Sequence, residues 1–161
     1  MEWVKNSMNN KEQAFTLIEL LFVVGIVGIL ASVAIPSFSQ QMKNNNLRSN
    51  ANQLHSIFKF ARSEAAKRNS DIQLNEDGGE WEVLIAGQAQ PLQTFTATHS
   101  SISVTGLADL TISTTGEVPG AGSYLITDGD SNTTDYCLGI LASGQSSLRP
   151  DDDSDNACIA P

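Results

Sequence analysis

The sequence predicts an α+β protein: a long N-terminal helix, membrane-spanning in its first half, packed on an antiparallel β-sheet head. Three observations carry this. Phe15 to Pro36 is nearly all apolar, with Glu19 its only charge and no further charge until Lys43. Residues 47–65 carry one apolar stripe at helical spacing. From Ile72 onward the apolar period changes from 3.6 to 2, with Gly, Pro, Asp and Asn between the short runs.

Taken in order, residues 1–14 are polar, and Lys5 and Lys11 balance Glu2 and Glu12. Residues 15–36 follow as the apolar run. About twenty such residues at about 1.5 Å rise each match a hydrocarbon core of about 30 Å, so this segment reads as a transmembrane helix. A carboxylate inside it costs roughly 2.5–3.5 kcal/mol on insertion scales, which marks Glu19 as a functional residue in need of a cation. A free α-amino group at Phe15, on the same or a neighbouring chain, would serve. It exists only if the chain is cut between Ala14 and Phe15.

Residues 37–68 continue the helix. Leu47, Ala51, Leu54, Phe58, Ala61 and Ala65 are spaced 4, 3, 4, 3, 4, and Ile57 widens the stripe. Asn44, Asn45, Asn46, Asn50 and Asn52 fill the polar face. Pro36 lies inside the helical pattern, where a bend is expected. Gly25 and Gly28 weaken the helix within the membrane part. Asn69-Ser70-Asp71 ends it. Residues 69–161 form the β-rich head, with seven strands: Ile72–Leu74, Trp81–Ile85, Leu92–Thr96, Ser101–Thr105, Leu110–Ser113, Ser123–Thr127 and Tyr136–Ala142. Asp77-Gly78-Gly79 is a turn signal between the first two. One sheet packs on the helix stripe, and Trp81 reads as core.

Ala14-Phe15-Thr16-Leu17-Ile18-Glu19-Leu20-Leu21 strongly resembles the class III signal of type IV pilins and type II secretion pseudopilins. The resemblance implies a pilin fold and a leader peptide over residues 1–14. It also implies cleavage between Ala14 and Phe15 by the membrane-embedded prepilin peptidase, N-methylation of Phe15, and a role for Glu19 in filament assembly. Pro36 falls where pilins carry a helix-bending proline. Ala14 departs from the family's usual Gly. The alternatives are an ordinary secretory signal cut after Ser32-Val33-Ala34 and a plain single-span anchor.

Later stretches are similar to the GspH/FimT branch, which holds minor pseudopilin H and the minor pilins FimU and FimT. They are Ala61-Arg62-Ser63-Glu64-Ala65-Ala66-Lys67-Arg68, Leu110-Thr111-Ile112-Ser113-Thr114-Thr115-Gly116, and Cys137-Leu138-Gly139-Ile140-Leu141-Ala142-Ser143-Gly144. DNA-binding members follow that last Gly with arginines. Here Gln145-Ser146-Ser147-Leu148-Arg149 stands instead, so direct DNA binding is not expected.

Charge supports that exclusion. Residues 37–68 carry six basic side chains against Glu64 alone, whereas residues 69–161 carry fourteen acidic ones against Arg149 alone. An acidic head repels phosphates. A basic stalk and an acidic head favour head-to-stalk contact between subunits. Cys137 and Cys158 lack metal-site spacing. Export to an oxidising compartment makes a Cys137–Cys158 disulfide the expectation, contributing about 3 kcal/mol on loop-entropy arguments.

No catalytic constellation stands out. His55 lies on the helix and His99 in a loop, and neither sits with a Ser and a carboxylate in a recognisable pattern. Phosphate-loop and dinucleotide fingerprints are absent. Asp128-Gly129-Asp130-Ser131-Asn132-Thr133-Thr134-Asp135 has oxygen ligands at alternate positions. It lacks the loop Gly at Thr133 and the closing Glu at Gly139 of a calcium loop, so no metal or other cofactor is expected. Asp151-Asp152-Asp153-Ser154-Asp155 reads as a solvated run.

The expectation is a non-enzymatic minor pilin that helps to initiate or cap a type IV pilus serving adhesion, twitching or DNA uptake. Its partners would be prepilin peptidase, other major and minor pilins or pseudopilins, and the inner-membrane assembly platform. It would sit single-pass in the inner membrane with a periplasmic head, then in the filament. The alternatives are minor pseudopilin H of type II secretion and a surface binding module using the acidic head.

Overall fold

The computed structural model describes residues 15–77, 79–97, 102–105, 107, 109–151 and 158. Residues 1–14, predicted as a leader, the turn residue Gly78, Ser101, His99 and the acidic residues Asp152, Asp153 and Asp155 lie outside them. Among the described residues there are one helix and eight strands: α1 (Leu17–Arg68), β1 (Ile72–Asp77), β2 (Glu80–Ile85), β3 (Pro91–Thr96), β4 (Ser103–Thr105), β5 (Leu110–Ile112), β6 (Ser123–Thr127), β7 (Tyr136–Ile140) and β8 (Ser146–Pro150). The chain divides into two compact units, residues 1–38 and 39–161.

The described part of the first unit is the apolar start of α1. Its side chains are exposed almost without exception, and the helix is long and apolar enough to cross a membrane. The helix runs on through Pro36.

The second unit has its own core. Leu47, Leu54 and Phe58 of α1 are 0–1% exposed, and so are Ile72, Leu74, Val83, Ile112, Val118, Ile126 and Leu138 from the strands and their connections. The stripe predicted from spacing is thus the buried face. It is broader than expected, because Asn50 and Glu64 are also buried. Asn50, expected on the polar face, flanks Leu47 and Leu54, and its Nδ2 donates to the Asn46 carbonyl at 2.7 Å. Glu64 accepts from Lys67 Nζ at 3.2 Å and Arg68 Nε at 2.5 Å. Those two cations hold its carboxyl below the ordinary glutamate range.

Asn69 ends α1 in the left-handed conformation (φ 49°). The Ser70 N–H reaches back to the Ala65 carbonyl at 3.3 Å, a Schellman closure in which Asn takes the position more often held by Gly.

The strands form two four-stranded antiparallel sheets, ordered β3-β2-β1-β5 and β4-β6-β7-β8, where the sequence suggested one sheet of seven strands. The eighth strand, β8, was missed because Ser-Ser-Leu-Arg-Pro has weak β propensity and ends in Pro. Such a strand is tolerated at a sheet edge, and β8 is an edge. In the first sheet Leu74 pairs with Val83 and Ile72 with Ile112. Trp81 is 2% exposed and stacks on Phe95 at 5.8 Å.

Strand β6 alternates, with Tyr124 and Ile126 inward. Strand β7 is buried on both faces from Cys137 to Ile140. Leu138 and Ile140 belong to the core, and a disulfide joins Cys137 to Cys158.

Candidate functional site

Among the described residues, three places stand out chemically: the N-terminal end of α1, the loop after β6, and a pair of glycine turns held by Arg62.

At the helix start, Phe15 is 83% exposed and Thr16 precedes the first helical residue. The Glu19 N–H donates to Thr16 Oγ1 at 3.3 Å. Thr16-x-x-Glu19 therefore acts as an N-cap, with Glu19 at the third helical position. The motif was legible in the sequence and was missed there. A carboxylate in the first turn also interacts favourably with the helix dipole. Ile18, Glu19, Phe22, Val23 and Ile26 outline a shallow apolar depression on this face.

The Asp128–Asp135 loop, with its oxygen-bearing side chains at alternate positions, is tied to the chain itself. Lys43 Nζ meets Asp130 Oδ2 at 2.6 Å. The Gln40 side-chain amide donates to the Asn132 carbonyl at 2.5 Å, and the Thr134 N–H donates to Asn44 Oδ1 at 2.9 Å. Gln40, Lys43 and Asn44 lie on one helix face by their spacing. Within the loop, Asp128 Oδ1 accepts from the Asp130 N–H at 3.0 Å and from Thr133 Oγ1. Lys43 and the two Asn132 donors pull the Asp130 carboxyl down to about 2, and Asp130 raises the Lys43 amine in turn. Burial, joined by the Asp128 and Asp151 charges, pushes the Asp135 carboxyl up. Among the described residues no group of three or more His, Cys, Asp or Glu is arranged to hold a metal.

The third place was not anticipated. Ser113–Gly116 and Leu141–Gly144 are turns closed by N–H to carbonyl bonds of 2.8 Å, and both glycines have positive φ (80° and 75°). Arg62 spans them. Its Nε donates to the Gly116 carbonyl at 3.2 Å and its Nη2 to the Ser143 carbonyl at 3.1 Å. The Val118 N–H donates to the Ala142 carbonyl at 2.9 Å beside them. A Cβ on Gly144 would overlap the Gly116 carbonyl oxygen and come within 2.7 Å of Arg62 Nε. Gly144 is therefore required sterically as well as conformationally. The turns and α1 border a groove of about 860 Å³.

His55 Nε2 lies 2.9 Å from Ser146 Oγ at the edge of this groove. The pair resembles part of a hydrolytic dyad, but its surroundings oppose that chemistry. Burial and then the Lys59 charge push the imidazole pKa down, which disfavours the cation a general base must become. A nucleophilic serine needs the opposite, an orienting group that stabilises imidazolium.

Of the predicted site residues, Phe15 and Glu19 lie together at the helix start, Pro36 lies within α1, and Cys137 and Cys158 are joined with Cα atoms 5.4 Å apart. Ala14 lies outside the described residues.

Residues 50–144 match the family described as Type II transport protein GspH, and residues 9–35 match the Prokaryotic N-terminal methylation motif. The chain is 41% identical over 73 residues to the type IV major pilin protein PilA of Myxococcus xanthus, covering 44% of this chain and 32% of that one. It is 58% identical over 31 residues to the type IV major pilin protein PilE1 of Neisseria gonorrhoeae, 19% of each. These matches span a third or less of the relatives' length.

The crystal structure of the type IV minor pilin FimU of Pseudomonas aeruginosa superposes with a TM-score of 0.57 at 24% identity, covering 67% of this chain and 91% of that one. A second crystal form gives 0.54 at 23% identity, with 64% and 92% covered. These likenesses support the fold of the head, in which residues 47–65 of the helix pack on antiparallel sheets. With the family match over more than half its length and the methylation motif at its start, the chain belongs to the GspH/FimT/FimU family of type IV pilin-like proteins.

Proposed function

We propose that this chain is a non-enzymatic minor pilin that helps to initiate or cap a type IV pilus. Prepilin peptidase removes residues 1–14 by cutting between Ala14 and Phe15, and the new Phe15 amine is methylated. Residues 15–36 hold the subunit in the inner membrane, Pro36 bends the helix, residues 37–68 continue it, and the head over residues 69–161 is periplasmic. The subunit then enters the filament through the assembly platform. Glu19 registers it against the Phe15 amine of a neighbouring pilin. The observation that carries this reading is the joining of the methylation motif at residues 9–35 to a head whose fold is that of the minor pilin FimU.

A second reading is the minor pseudopilin of a type II secretion system. Its support is the family match over residues 50–144, described as Type II transport protein GspH. A clean deletion in the native host tests both, scored in parallel for surface pili with twitching and for secreted enzymes in the medium. Loss of pili with normal secretion supports the pilus reading. Enzymes trapped in the periplasm with normal pili support the secretion reading and overturn the first. The acidic-head binding module has little motive left, because Asp128 and Asp130 are bonded to the chain's own donors.

A further inference from the structure

We propose that the groove beside the Arg62-held turns is a docking site for a carboxylate-rich, extended segment of a neighbouring filament subunit. The partner's identity as a filament subunit rests on the function proposed above; the ligand chemistry rests on the groove.

The charge of the lining is the first argument. The chain carries 18 Asp and Glu against 9 Lys and Arg, yet no carboxylate lines this groove, while Lys59 and Arg62 both do. Lys59 is exposed and makes no ion pair among the described residues. Arg62 uses two of its donors on the turn carbonyls. A guanidinium has five, so donors remain for a carboxylate.

Shape is the second argument. Gly116, Gly139 and Gly144 are among the lining residues and add no side chains of their own to the walls. Leu141, also on the lining, is 39% exposed, and among the described residues it is the one large apolar side chain of 43–161 that stands exposed. Two cations, an apolar contact and open backbone suit a short extended peptide. They suit duplex DNA poorly, since its phosphates present a charge about every 1.7 Å and are met by many cations.

The described residues on either side of the chain's own acidic run are tethered elsewhere. Strand β8 leads from Ser146 at the groove to Pro150, roughly 13 Å away at about 3.3 Å per residue. There the Asp151 N–H bonds to the Asp135 carbonyl at 2.8 Å. Cys158 is joined to Cys137, which pairs with Arg149 at that same end of the sheet. Asp151 and Cys158 are thus both fixed at the end of the sheet away from the groove, and we assign the groove's occupant to another subunit.

The test uses the full processed chain in detergent micelles and a fluorescent synthetic peptide of residues 150–159 carrying Cys158→Ser, read by anisotropy. Saturable binding is expected. Lys59→Glu should weaken it about tenfold or more, while Lys59→Arg retains it, as for a charge contact at an interface rim. A peptide with its Asp residues replaced by Asn should not bind. Unchanged thermal midpoints for both Lys59 variants show that the fold is intact.

Self-association of the unliganded chain that the peptide disrupts would support the proposal and make a second copy the neighbouring subunit. The proposal is overturned by no saturable binding, by indifference to Lys59→Glu, or by equal binding of the Asn peptide. It is also overturned if a DNA duplex displaces the peptide at lower concentration than unlabelled peptide does. None of these results alters the deletion phenotypes that test the proposed function.

Discussion

Replacing Gly144 by Ala tests whether the two glycine turns are locked together as described. The perturbation has two separable parts. At φ 75° an alanine sits in the left-handed region, which costs about 1–2 kcal/mol for an L-residue. The added Cβ also collides with the Gly116 carbonyl oxygen and lies 2.7 Å from Arg62 Nε. The Gly116 oxygen belongs to backbone and cannot rotate aside, so the turns must separate and Arg62 must release at least one carbonyl. A hydrogen bond to a charged group contributes about 1.5–3 kcal/mol, towards the lower end here because Arg62 is half-exposed.

The total is about 3–4 kcal/mol. Gly129→Ala is the matched control, with a similar φ of 74° and nothing within 4 Å of its Cβ, and it should show the conformational part alone. The assay is denaturant unfolding of the processed chain followed by fluorescence. Removing the leader removes Trp3 and leaves Trp81, 2% exposed, as the reporter. Gly144→Ala should exceed Gly129→Ala by about 1.5 kcal/mol or more. Equal destabilisation by the two variants would refute the locked-turn account.

Other outcomes follow from the same structure. The Asp130 carboxyl is depressed to about 2 in the folded chain. Its contribution is therefore present above the ordinary aspartate pKa and is lost as pH falls from about 4 towards 2; thermal midpoints across that range should fall less steeply in Lys43→Met. Glu19→Val should insert into the membrane as well as the parent or better, yet be depleted from sheared filaments, and normal incorporation would remove its assigned role. Intact-mass measurement of the mature protein should give a chain beginning at Phe15 with one added methyl, whereas a start at Ile35 would indicate an ordinary signal peptide.

What was legible in the sequence was periodic or local. The Leu47–Ala65 stripe announces its partner surface because burial forces a helical repeat. Asn69 marks a helix end because the left-handed conformation suits few residues. Cys137 and Cys158 could be paired because there are only two cysteines. What was illegible depends on partners far away in the chain. Ser146–Pro150 becomes a strand because β7 offers it an edge, not because its residues favour one. Arg62 lies beside the buried stripe, next to Ala61, and nothing in its spacing says that it will reach carbonyls 54 and 81 residues on. The Asp128–Asp135 loop has the residue types of a cation site, but an ammonium 87 residues earlier occupies the carboxylate instead. Composition names the charge, and only the fold names its partner.

The ties from Gln40, Lys43 and Asn44 to the loop after β6 also have a mechanical consequence. A pull along residues 15–38 reaches the second unit through the backbone of α1, and the first side chains it meets that grip another segment are these three. They engage before Leu47, the first buried core residue of the helix. Tension is therefore shared among three side chains on one helix face that hold the loop between β6 and β7. In a chain built this way, the first load reaching the head falls on these ties ahead of the buried stripe of α1.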